Sequence, residues 1–133
     1  MQEIIENIIQ WNKIAENNSF NKWLEMSMLS EEFAETILAI KNKDKKEILD
    51  WVLDTFIIGV WTLHKMGFNS EQILTALERI MINNYQKFDI KLTWTNIEYK
   101  CIKDENWKIM KPEWFKPVDL SDLIPNDNYV PNK

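Results

Sequence analysis

From Leu49 to Leu63 the chain is apolar on nearly every face of a helix, with Leu49, Trp51, Val52, Leu53, Phe56, Ile57, Ile58, Val60, Trp61 and Leu63, and Asp50 and Asp54 stand inside that run. A helix that is apolar all round is a buried helix. A membrane span needs roughly 20 apolar residues, whereas Trp51 to Leu63 is shorter and contains Asp54. The run therefore reads as the central helix of a water-soluble bundle. One small bundle leaves part of such a helix wet, so a homodimer or homotetramer that packs it between subunits is the expected state. An unpaired buried carboxylate costs several kcal/mol, roughly a few pKa units, so Asp50 and Asp54 require a partner.

The rest of the chain supplies helices to surround it. Ile4, Ile5, Ile8, Ile9 and Trp11 or Asn12 recur at helical spacing, and the pattern fades at Asn17-Asn18-Ser19. A second amphipathic helix runs from about Phe20 to Lys41 with Trp23, Leu24, Met28, Phe33, Ile37, Leu38 and Ile40. Asp44 can cap the third helix and Gly67 can end it, while Asn69-Ser70-Glu71-Gln72 opens a fourth that carries Ile73, Leu74, Leu77, Ile80 and Met81 to about Phe88. After Asp89 the helical period is lost, and Pro112, Pro117 and Pro125 mark extended segments and turns, with a short hairpin around Asp104-Glu105-Asn106. This gives an all-α bundle of four to five helices in one domain over 1–133, with a helical core at 1–89 and an irregular C-terminal tail at 90–133 that packs on it.

Composition narrows the function. The net charge of −5 excludes a broad electrostatic grip on nucleic-acid backbone. One cysteine, Cys101, and one histidine, His64, exclude internal disulfides and any zinc site that needs several such ligands. Met1-Gln2-Glu3 lacks the basic start and apolar stretch of a signal peptide, so the expected compartment is the cytoplasm, with no membrane partner.

On the second helix Glu32 and Glu35 lie three apart, with Glu31 four before Glu35; on the third, Asp50 and Asp54 are four apart and Glu47 shares their stripe. Two helices joined by a short turn run antiparallel, so the two acidic stripes can face one another. Carboxylates converging in this way point to a hard dication, Mg²⁺ or alternatively Mn²⁺, over zinc or copper.

These residues form a recognisable order. "EEFAE" is a Glu-Glu-x-x-Glu signature, and "EILDWVLD" followed by an apolar helix ending in "HKMGF" resembles the second acidic half of the MazG-like all-α NTP pyrophosphatases. "NNYQKFD" resembles the Asn-x-x-Lys motif of their last helix, and "KPEWFKPVDLSDLI" the ending of phage-type members, so the likeness runs from about Trp11 to Leu123. Where members commonly have Glu-x-x-Asp, Trp51 stands three before Asp54, and Asp50 or Glu47 offers the fourth acid. The resemblance implies Mg²⁺-dependent cleavage of a dNTP or noncanonical NTP to the monophosphate and pyrophosphate. Glu32, Glu35, Asp50 and Asp54 then hold metal, and Glu31 or Glu32 orients or deprotonates the attacking water. Asn84 and Lys87 meet sugar and phosphate, while Trp11, Asn12 and Lys111 are further substrate contacts.

Two rivals remain. One is a pyrophosphohydrolase for a different nucleotide, such as phosphoribosyl-ATP, dUTP or dCTP. The other is a noncatalytic helical oligomer that binds a nucleotide or a protein, with its acids as surface charge.

Overall fold

The computed structural model describes residues 1–125; residues 126–133, the end of the expected tail, lie outside the described residues. Its α-helices are α1 (Gln2–Ile14), α2 (Lys22–Asn42), α3 (Lys45–Lys65) and α4 (Ser70–Tyr85). The antiparallel strands β1 (Asp89–Leu92) and β2 (Ile97–Lys100) follow, then a 3-10 turn at Ser121–Leu123. The fold is all-α apart from this small hairpin. The chain divides into two compact units, residues 1–74 with 124–125, and residues 75–123.

The helix ends are built where local chemistry puts them. Asn21 Oδ1 accepts from the amides of Trp23 and Leu24 at 3.1 and 3.2 Å, and Asp44 Oδ1 does the same for Lys46 and Glu47. Asn69 and Gln72 cap reciprocally, each side chain bonding the other's amide. Such side-chain acceptors satisfy amides that the first helical turn cannot pair. At the end of α3 the Gly67 amide bonds the His64 carbonyl and the Phe68 amide bonds Leu63, with Gly67 at φ 97°. That conformation is nearly free for glycine and strained for any residue with a Cβ.

In the first unit, Ile5, Ile8 and Ile9 of α1, Val60 of α3 and Ile73 form the buried core, and Ile57, Trp61, Leu63, Phe68 and Leu74 pack against it. Ile4 and Trp11, read with the same apolar stripe, are exposed. Only Lys43 and Asp44 separate α2 from α3, with Lys43 in the left-handed region at φ 55°. A turn this short returns the chain antiparallel. An ion pair between Glu25, near the start of α2, and Lys65, at the end of α3, confirms that direction; Lys65 Nζ lies 2.5 Å from Glu25 Oε1.

In the second unit, the chain reverses at Asp104-Glu105-Asn106 as expected, closed by one antiparallel bridge, and an unexpected strand pair precedes it. Asp89 pairs with Lys100 and Leu92 with Ile97, whereas around Asp104 there is a single bridge between Lys103 and Ile109. Asp104 there accepts from the amides of Asn106 and Lys108, so its carboxylate shapes a turn instead of a paired ladder. Arg79 grips Asp122 with two bonds of 2.6 and 3.0 Å, tying the 3-10 turn to α4.

Candidate active site

The α2–α3 hairpin places the acids. Counting back equally along both helices from the turn puts Glu35 level with Val52 and Glu32, one turn further on the same face of α2, level with Thr55, so Asp54 falls between the levels of the two glutamates. Glu32, Glu35 and Asp54 are half-buried, whereas Glu31 and Asp50 are exposed. The expectation that both aspartates are enclosed by the apolar run is thus met for neither in full. Leu49, Val52 and Leu53 are themselves exposed on this chain, so Asp50 keeps its water.

Glu32 is the focus of the cluster. Its Oε2 is buried without a hydrogen-bond partner among the described residues, as is Thr36 Oγ1 one turn along. Burial lifts its carboxyl above the ordinary value of 4.5, and the charges of Glu35, Asp54, Glu31 and Asp50 lift it further. Both helices therefore act on one group. Asp50 belongs to the set that acts on Glu32, whereas Glu47 does not. Among the described residues no three His, Cys, Asp or Glu side chains stand close enough together to form a ready ligand shell. The donor set nonetheless fits a hard dication: carboxylate oxygens on facing helices, one of them desolvated and unpaired.

Asn12, expected to contact substrate, is enclosed between α1 and α3. It has no exposed surface. Its Nδ2 donates to the Trp61 carbonyl at 3.5 Å and lies 3.4 Å from His64 Nδ1, while its Oδ1 accepts from Asn17 Nδ2 at 2.9 Å. The amide locks α1 to α3, because a buried polar group must be satisfied where it stands. Trp11, by contrast, is exposed and stacks on Trp61 with centroids 4.7 Å apart and planes at 12°. His64 is held below its usual value by burial, then by the charges of Lys13 and Lys65, which keeps the imidazole neutral.

Asn84 is half-buried in the last turn of α4, and Lys87 sits just past the helix, in a turn where its amide bonds the Asn84 carbonyl at 3.2 Å. The two do not share a helical face, since α4 stops at Tyr85. Lys87 and Lys111, read from opposite ends of the second unit's sequence, do come together: their Nζ atoms lie 5.6 and 5.5 Å from the centroid of one ring, Phe115.

Sequence reasoning missed the buried Glu25–Lys65 pair. The only local signal was Glu25 four residues after a capping Asn21, whose amide Glu25 Oε2 accepts at 3.1 Å. Thr36, one turn after Glu32, was likewise invisible as anything but a polar helix residue.

Comparison with known proteins adds one match. A family model described as phosphoribosyl-ATP pyrophosphohydrolase covers residues 2–80, which includes α1, α2 and α3 and every candidate metal ligand. No curated protein and no solved structure matches the chain.

Proposed function

Because the chain belongs to the phosphoribosyl-ATP pyrophosphohydrolase family, within the MazG-like all-α NTP pyrophosphatases, and is thereby a hydrolase of acid anhydrides, we propose that it cleaves a dNTP or noncanonical NTP to the monophosphate and pyrophosphate. The observation that carries the proposal is Glu32, a desolvated carboxylate with an unpaired oxygen set among four other acids. Glu32, Glu35, Asp50 and Asp54 would hold Mg²⁺ or Mn²⁺. When bound, the ion supplies charge neutralisation at the phosphates and acidifies water.

The chain's own residues do the rest. A raised pKa brings Glu32 nearer to neutrality and makes it a better base for a water proton at Oε2. Glu31, its exposed neighbour in sequence, would orient the water. In the second unit, Lys87 and Lys111 would offer ammonium groups to phosphate oxygens and Asn84 an amide to the sugar or phosphate. Among the described residues no helix is long and apolar enough to cross a membrane.

The working unit is an assembly of identical chains. Trp23, Phe33 and Ile37 of α2 and Leu49 and Leu53 of α3 are all exposed, and large apolar side chains left in water on two adjoining helices are what a partner surface would cover. A second copy covering this hairpin gives a homodimer, and two such pairs a homotetramer.

The decisive experiment measures pyrophosphate release from each common dNTP and NTP, with and without Mg²⁺, for wild type and Glu32→Gln. The expected result is metal-dependent release that Glu32→Gln lowers by about 10²–10⁴-fold while the helical content stays unchanged. Wild type that releases no pyrophosphate from any nucleotide overturns the reading. The family's description favours one second reading, phosphoribosyl-ATP as the substrate. Turnover of that nucleotide well above every dNTP and NTP selects it.

A further inference from the structure

A pocket of about 470 Å³ lies within the second unit, lined by residues between 87 and 114 and wholly outside the stretch that the family model matches. That volume is ordinary for a small-molecule site. Lys87, Lys100 and Lys111 line it, and none of the three has an ion-pair partner among the described residues. Two of these ammonium groups approach the single Phe115 ring. A ring quadrupole attracts cations without neutralising them, and the three ammonium groups outnumber the two carboxylates, Asp89 and Glu113, that share the lining of the site. Its natural guest is an anion.

A bare anion would leave the remaining walls unused. Ile102, Met110 and Trp114 form an apolar side, and the Trp114 ring is mostly exposed and so free to stack. Asp89 and Glu113 also line the pocket. Their carboxylates only accept hydrogen bonds, which suits hydroxyl and N–H donors. Cations for a phosphate, acceptors for sugar hydroxyls or base N–H groups, and a flat apolar wall for a ring together describe one class of ligand.

We propose that this pocket binds a nucleoside 5′-phosphate, with the phosphate at Lys87, Lys100 and Lys111 and the base on Trp114. The inference deepens the pyrophosphohydrolase reading and rests on it for the ligand class. It also locates base recognition in a segment that the matched family region does not contain.

The test uses Cys101, the chain's single thiol, half-buried and lining the same pocket, as a reporter. Alkylation by iodoacetamide is followed on the full chain in EDTA, with each common nucleoside 5′-monophosphate, with adenosine, or with inorganic phosphate. At least one monophosphate slows the reaction about tenfold near saturation, whereas adenosine and phosphate alone do not. Lys100→Ala, outside the proposed catalytic set, raises the half-protecting concentration about tenfold, as loss of a charge-assisted contact should. The thermal melt of Lys100→Ala without ligand checks that the variant is folded.

Three outcomes overturn the proposal: no monophosphate protects Cys101, inorganic phosphate protects as well as the nucleotide, or Lys100→Ala binds like wild type. The assay contains neither metal nor turnover. Its failure therefore leaves the hydrolase reading standing, and a chain that protects Cys101 yet releases no pyrophosphate fails only that reading.

Discussion

Helices α1 and α2 both carry apolar residues at helical spacing, yet they bury them to different extents. In α1, Ile5, Ile8 and Ile9 are 0%, 9% and 7% exposed and pack with Val60 and Ile73. In α2 only Glu25 and Ala39 are buried, while Trp23, Phe33 and Ile37 remain 69%, 55% and 66% exposed. An apolar stripe states that a face needs cover without stating what covers it. Helix α1 is framework. Helix α2 makes a buried ion pair to α3 near its start, carries the acids in its middle, and leaves its large apolar residues exposed, where the proposed second copy would cover them.

The largest break in this contrast comes from that ion pair. Glu25→Ala leaves the Lys65 ammonium buried and unpaired, and should destabilise the chain by about 3–5 kcal/mol in urea denaturation. Replacing both residues with Met should restore most of that loss, because the pair's own desolvation cost disappears with it. A single variant as stable as wild type would show that the ion pair anchors nothing.

Next comes the contrast of stripes itself. Ile5→Ala removes fully buried methylenes and should cost about 2–5 kcal/mol. Ile37→Ala, made in a form kept monomeric by dilution, should stay within about 0.5 kcal/mol of wild type. Equal losses would erase the distinction between the two helices. Ile37→Glu is expected to leave the protomer folded but dissociate the assembly, read as a fall in sedimentation coefficient. A wild-type chain that sediments as a monomer at every concentration would remove the second copy from the account.

The smallest effect concerns the acids of α2. The folded Glu32 carboxyl lies above its unfolded value of 4.5, so the folded chain holds this proton more tightly than the unfolded one. The resulting stability is fully present below pH 4.5 and is lost as pH rises through the folded value. Glu32→Gln should therefore melt a few degrees above wild type at neutral pH, with the gap closing on acidification. Mg²⁺ should raise the melting temperature of wild type more than that of Glu32→Gln. Identical pH profiles would mean that Glu32 feels no crowding from its neighbours.

Wherever the deciding atoms lie within a few residues, the sequence by itself determined the outcome. Asn21, Asp44 and Asn69 cap their helices, Gly67 ends α3, and the two-residue turn after α2 sends α3 back along it, because caps and turns depend only on nearby amides and backbone angles. The acids at Glu32, Glu35 and Asp54 were legible for the same reason, as spacing on single helices. Only the tertiary structure decided that Asn12 is enclosed while Trp11 is not, that Glu25 and Lys65 meet inside, that the hairpin pairs at Asp89–Lys100, and that Lys87 and Lys111 share one ring. Each of these depends on a partner far away in the chain, and the energy that selects the partner comes from desolvation and packing that no local pattern encodes.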